Sequence, residues 1–176
     1  WRAFSRPEKL SIYRRRLLDE MVSLGLDSLG IIMVISVFMG AVITIQTAAN
    51  IDSAFIPTYT IGFTTRQSTI LEFSPTIMAL ILAGKIGSNI ASEIGLMRVT
   101  EQIDALEIMG VNSSAYLILP KIVAAVLISP FLVIISMFVS IGGGYLIALF
   151  TDIVSVSNYE YGIQLDFRLY HVVYAL

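Results

Sequence analysis

One carboxylate, Glu72, and one amine, Lys85, stand inside an otherwise apolar stretch running from Gln67 to Ala91. A charged group at membrane depth is costly and marks a polar cavity, an ion path or a pairing partner. Two readings of Glu72 fit the sequence. Either it lines a cavity, or it sits at the outer end of a span close to Arg66 and reaches water. Pro75, just downstream, frees the carbonyl of Leu71 and favours a kink. Lys85 lies about 20 Å further along a helical axis, which excludes an ion pair with Glu72 within one straight helix. Lys85 is expected to snorkel toward the cytoplasmic face or to pair with another helix.

Other chemistry lacks its parts. His171 is the single histidine and the chain has no cysteine, so zinc sites, thiol nucleophiles and Ser-His-Asp triads are not assembled from its residues. Gly84-Lys85 is followed by Ile86, and Ala79 stands where a phosphate-binding P-loop needs its first glycine. Gly142-Gly143-Gly144 lies within an apolar run, where close packing or a bend is the simpler use. The sequence therefore predicts no catalytic residue, no metal and no cofactor, and a protein that is not itself an enzyme.

The elements that hold these residues follow from composition. Of 176 residues, 56% are hydrophobic and 14% charged, against roughly 25% charged in ordinary soluble domains, and the mean hydropathy is +0.83. This fits neither a soluble surface nor disorder. A net charge of −2 gives no support to nucleic-acid binding.

Ser28 to Ile51 carries no charge, and as a helix it rises about 36 Å against a hydrocarbon core of about 30 Å. Ile122 to Thr151 is a second uncharged run, with room for tilt or a bend near Pro130. The stretch holding Glu72 and Lys85 completes three spans, placed at 24–51, 67–91 and 117–150. Residues 168–176 read as the start of a fourth, in which the chain is cut. The fold class is all-α, a membrane helix bundle forming a single domain over 1–176.

Arg2, Arg6, Lys9, Arg14, Arg15 and Arg16 precede the first span, whereas the segment from Asp152 to Asp166 holds no Lys or Arg. The positive-inside rule then places the N-terminus in the cytoplasm, residues 52–66 and 151–167 outside, and 92–116 inside. Ser5-Arg6-Pro7-Glu8 fits a capping box, and Leu10, Tyr13, Leu17, Met21 and Leu24 recur at helical spacing, giving an interfacial helix over 1–23.

Small residues repeat every fourth position in all three spans: Ser36, Gly40, Thr44 and Ala48; Ala79, Ala83, Gly87, Ala91 and Gly95; Ser136, Ser140, Gly144 and Ala148. Such stripes let helix backbones approach closely in lipid. On the cytoplasmic side, Thr100 is expected to cap a short helix carrying Glu101 and Asp104 in its first turns, with Gly110 as its stop. Spacing alone leaves a docking element and a plain surface helix equally open.

The runs Ala83-Gly84-Lys85-Ile86-Gly87, Glu93 to Leu106 (EIGLMRVTEQIDAL), Met109-Gly110 and Leu119-Pro120-Lys121 resemble the MlaE family of ABC-transporter permeases. Weaker agreement extends from the basic N-terminal helix through Gly40 and Gln46 to the glycines at 142–144. Leu71 departs from an arginine frequent in the family, and Lys85 stands where arginine is common.

The resemblance implies an interfacial elbow helix and five spans, of which this chain holds three and the start of a fourth. It also implies a homodimer in the bacterial inner membrane, a cytoplasmic ABC ATPase subunit that hydrolyses the ATP, and a periplasmic MCE-domain lipid-binding partner. The implied activity is movement of phospholipid between the inner and outer membranes. Residues 95–110 correspond to the coupling helix, which assigns Glu93, Arg98, Thr100, Glu101, Gln102 and Asp104 to the ATPase interface. Gln46 and Glu72, polar groups at the outer ends of two spans, are the candidates for contacting the lipid. The alternatives are an ion-coupled transporter using Glu72 and a structural scaffold.

Overall fold

The computed structural model describes residues 10–51, 56–110 and 113–176. The proposed capping box at Ser5–Glu8, with Arg2, Arg6 and Lys9, lies outside the described residues. Every regular element among those described is helical. In chain order these are α1 (Leu10–Asn50), α2 (Tyr59–Ser68), a π-helical turn (Thr69–Phe73), α3 (Ser74–Val99), α4 (Gln102–Ile108), α5 (Ser113–Phe150), α6 (Val156–Gln164) and α7 (Leu169–Ala175). Three helical stretches are long and apolar enough to cross a membrane, at Tyr13–Asn50, Tyr59–Val99 and Ile118–Phe150.

Three boundaries differ from the pattern of charges. No break separates residues 23 and 24: α1 runs without interruption from Leu10 to Asn50. Neither Gly25 nor Gly30 interrupts it, because a lone glycine costs a helix only about 1 kcal/mol against alanine. The second span begins at Tyr59, so much of the expected outer loop at 52–66 is helix. The expected outer loop at 151–167 likewise contains α6.

The π turn explains the entry to α3. The N–H of Ser74 donates to the carbonyl of Thr69, five residues back, and Pro75, which has no N–H, follows at once. The extra residue in the turn is the local accommodation that a proline in a helical ladder requires.

The described residues form two compact units, one drawn from residues up to 28 with 79–130, the other from 29–78 with 131–176. In the second unit, α1 and α5 meet along the first and third small-residue stripes. Ser36 Oγ and Ser136 Oγ are 2.9 Å apart and hydrogen-bonded, and Ser140 Oγ donates to the Ser36 carbonyl at 2.9 Å. A Cβ on Gly40 would overlap the backbone of Ser140, and one on Gly143 the backbone of Val37. This is backbone-to-backbone packing, obtainable only with small residues.

Against this pair, α6 packs on α2. Gly62 and Gly162 lie on the backbone at Tyr159 and Tyr59 respectively, around a core of Ile61, Ala148, Val154 and Tyr159. In the first unit, Leu24 is buried and Gly25 lies under the side chain of Ile128. The second stripe behaves differently: Ala79, Ala83, Gly87, Ala91 and Gly95 are all exposed in the isolated chain.

Candidate functional site

The end of the first unit that follows α3 presents a short exposed helix. Among the side chains of α4, none is buried. Its start is set by backbone geometry rather than by a cap. Glu101 adopts the left-handed conformation (φ 58°) and makes no side-chain cap bond. The hydroxyl of Thr100 donates back to the Leu96 carbonyl at 2.8 Å. The expectation that Thr100 caps α4 is therefore corrected: back-bonding to the preceding turn, common for threonine at a helix end, won the competition. Gly110, at φ 78°, closes the segment as expected.

Five of the six residues assigned to an ATPase interface come together here. Arg98 bridges to Asp104 at 2.8 Å with both side chains exposed, and Thr100, Glu101 and Gln102 are exposed beside them. Val99, Ile108 and Met109 show 83%, 87% and 68% of their surface. Large apolar side chains this open beside charged ones are typical of a surface that something else covers.

Glu93 goes elsewhere. Its Oε2 lies 2.6 Å from Lys121 Nζ, and the same Nζ lies 2.8 Å from Glu20 Oε1. The Lys121 side chain is only 6% exposed. Lys85, also partly buried, donates to Ser28 Oγ at 2.8 Å and to the Ser23 carbonyl at 3.2 Å. It pairs with another helix, one of the two outcomes its position allowed.

In the second unit, Gln46 near the end of α1 and Glu72 in the π turn are both exposed. No hydrogen bond joins them, and among the described residues Glu72 makes no ion pair. The neighbouring helical face is unusual. Thr65 Oγ1, Thr69 Oγ1 and Ser74 Oγ are buried and find no hydrogen-bond partner among the described residues, whereas the buried hydroxyls Ser28, Thr44 and Ser140 are all bonded.

Arg66, which the sequence offered only as a flanking charge, is 1% exposed. Its Nη1 donates to the carbonyls of Ile163 and Leu165 at 2.7 and 2.8 Å, at the C-terminal end of α6, where a cation is favoured. The guanidinium also lies over the rings of Phe63 and Phe167. Tyr159 is buried beneath α2; its hydroxyl donates to the Ile141 carbonyl at 3.2 Å. Burial, opposed by a hydrogen bond with Thr44, pushes its phenol up to about 12. Nothing local in the sequence marks Arg66 or Lys121, whose partners lie on other helices.

Among the described residues no group of three or more His, Asp or Glu is placed to hold a metal. The arrangement they form offers docking and packing surfaces.

Residues 17–176 match the family described as Permease MlaE. A probable ABC transporter permease protein of Synechocystis sp. is 39% identical over 78% of this chain and 52% of its own length. One from Rickettsia bellii is 34% identical over 79% of this chain and 53% of its own. A chloroplastic protein of Arabidopsis thaliana, trigalactosyldiacylglycerol 1, is 32% identical over 80% of this chain and 40% of its own. The chain thus spans about half the length of the curated relatives it matches.

Proposed function

This chain belongs to the MlaE permease family, and we propose that it forms part of the permease subunit of an ABC transporter that moves phospholipid between the inner and outer membranes of a bacterial envelope. The observation that carries the reading is α4 with its flanks: an exposed helix between two spans that presents Glu101, Gln102 and Asp104 beside uncovered Val99, Ile108 and Met109. A separate cytoplasmic ATPase is the partner proposed to cover it. The relatives named as probable ABC transporter permeases support that partner. The name of the chloroplastic relative contains a glycerolipid, which supports a lipid cargo.

With the arginines at 14–16 in the cytoplasm, alternation of the three spans brings α4 to the same side. ATP binding and hydrolysis in the partner displaces α4, and packed helices transmit the displacement as rigid-body motion. The lipid passes through an apolar cavity with a few polar groups for its head, where Gln46 and Glu72 are the proposed contacts. A homodimer and a periplasmic MCE-domain protein complete the assembly, in the inner membrane.

The test is co-purification of the full-length permease with an ATP-binding subunit. Glu101→Lys reverses charge at the proposed interface and is expected to abolish the association while the permease still inserts. If the wild-type permease recruits no ATPase, or transports lipid in liposomes without one, the reading fails.

A further inference from the structure

We propose that Lys121 is a positioning residue that pins α1, α3 and α5 together at the α4 end of the first unit, so that displacement of α4 moves all three helices as one body. The inference rests on the transporter reading and adds to it the element that converts docking into motion.

The geometry is specific. One ammonium, with three protons, reaches a carboxylate on each of two other helices, Glu20 of α1 at 2.8 Å and Glu93 of α3 at 2.6 Å. Lys121 follows Pro120, which is itself fully buried, so the base of the side chain is held by packing. The carboxylates are 21% and 37% exposed, while the lysine is 6% exposed. A buried lysine is rarely retained for stability, because well-packed apolar residues hold helices at least as well. What a directional ion network adds is a single register: two short bonds from one atom fix where each helix end stands relative to the others.

The network also sits on a continuous covalent and ionic path from the docking helix. Asp104 of α4 is bonded to Arg98 in the last turn of α3, and Glu93 lies between one and two turns earlier in the same rigid helix. A pull on α4 reaches Glu93 through α3 and Lys121 through α5, which flank α4 in the chain, and passes from Lys121 to Glu20 of α1. With the lysine removed, α3 and α5, each joined to α4 by the chain, can still move with it, but they are no longer held to each other and the α1 end no longer follows. Glu93 on this account acts within the permease, as a partner of Lys121, and its substitution changes coupling rather than ATPase docking.

The experiment uses the full-length permease with its ATPase in proteoliposomes of phospholipid, and reads three quantities: ATPase bound, ATP hydrolysed, and lipid moved per ATP. Lys121→Met is expected to leave the ATPase bound and hydrolysis within about threefold, while lipid moved per ATP falls about tenfold, the size of an ordinary coupling energy. Lys121→Arg, which keeps the charge and can still reach both carboxylates, restores most of the yield. Because Lys121→Met leaves two carboxylates facing each other, the neutral triple variant Glu20→Gln/Lys121→Met/Glu93→Gln is measured beside it, and is expected to fold and to be uncoupled in the same way. An unchanged lipid yield per ATP in the triple variant, or transport and hydrolysis falling in parallel, overturns the proposal. Failure of the wild-type protein to bind an ATPase is a different result and overturns the transporter reading itself.

Discussion

Gly40 of α1 rests directly on the backbone of Ser140 of α5, whose hydroxyl in turn donates to Ser36 one turn away. The contact admits no side-chain carbon. Gly40→Ala therefore has to push two helices apart or strain both, and is expected to lower stability by about 1–3 kcal/mol, the usual cost of overpacking a tight interface. Gly30→Ala, in the same helix but with open space around it, is expected to be neutral or slightly stabilising through helix propensity. Thermal unfolding of the two variants in detergent, compared with wild type, checks the contrast; equal melting temperatures would sink it.

Tyr159 supplies a pH-dependent test of the same packing. Its phenol titrates near 12 when folded and near 10 in an unfolded chain. The neutral form is the one the fold favours, so its contribution is complete below about pH 10 and is lost as pH rises toward 12. The second unit is expected to lose stability more steeply than Tyr159→Phe does over that range. At neutral pH the same substitution costs about 1 kcal/mol for the lost bond to Ile141. Denaturant midpoints at pH 8 and pH 11 for both proteins make the comparison, and parallel curves would refute the assignment.

Arg66 predicts a local effect. Arg66→Met removes the donor to two part-buried carbonyls at the end of α6, at roughly 1–3 kcal/mol in all. Because the bonded carbonyls belong to residues 163 and 165, the loss is expected to show first as faster amide hydrogen exchange in residues 159–168. The longer helices carry their own backbone bonds and stay protected. Uniform acceleration across α1 and α5 would mean that Arg66 holds the whole unit and not this joint.

The contrast between these sites shows what the amino-acid order makes legible. Charge gaps locate three membrane helices because insertion depends on stretches of about 20 residues, a property read along the chain. The first and third glycine-serine stripes are legible as packing surfaces for the same reason, and they meet. The second stripe has the same spacing yet stays exposed, since periodicity says which residues share a face but not what lies opposite. Helices α2 and α6 hide in segments whose composition reads as loop. Thr60, Thr64, Thr65 and Gln67 dilute the apolar signal on the first, and nine residues are too few for the second to show a period. Lys121, Glu20 and Arg66 find their partners on distant elements, so no local pattern announces them.

Glu101 separates backbone from side chain. Its left-handed conformation costs an ordinary residue about 1 kcal/mol, which glycine does not incur. Glu101→Gly is therefore expected to keep or tighten the turn into α4 while deleting the carboxylate. If that carboxylate contacts the ATPase, binding of the subunit weakens although α4 becomes no less ordered; unchanged binding would assign Glu101 a purely local role. Calorimetry of the ATPase with wild-type and variant permease gives the answer.

Glu72 offers the sharpest test of the proposed lipid route. It stands in the π turn that Pro75 imposes, exposed and without an ion-pair partner among the described residues. A carboxylate held so in an apolar span has either water or a polar ligand to satisfy it, since hydrocarbon cannot. Glu72→Gln keeps shape and hydrogen-bonding capacity and removes only the charge, so folding is expected to change by no more than about 0.5 kcal/mol. Transport of phospholipid is expected to fall about tenfold, equivalent to about 1.4 kcal/mol of lost interaction, with a smaller loss in Gln46→Ala. The polar contact is then specific to the cargo, because ATPase recruitment at the proposed α4 interface is expected to stay at the wild-type level. Wild-type transport in Glu72→Gln would remove Glu72 from the lipid path and leave it as a group that reaches water at the end of its span.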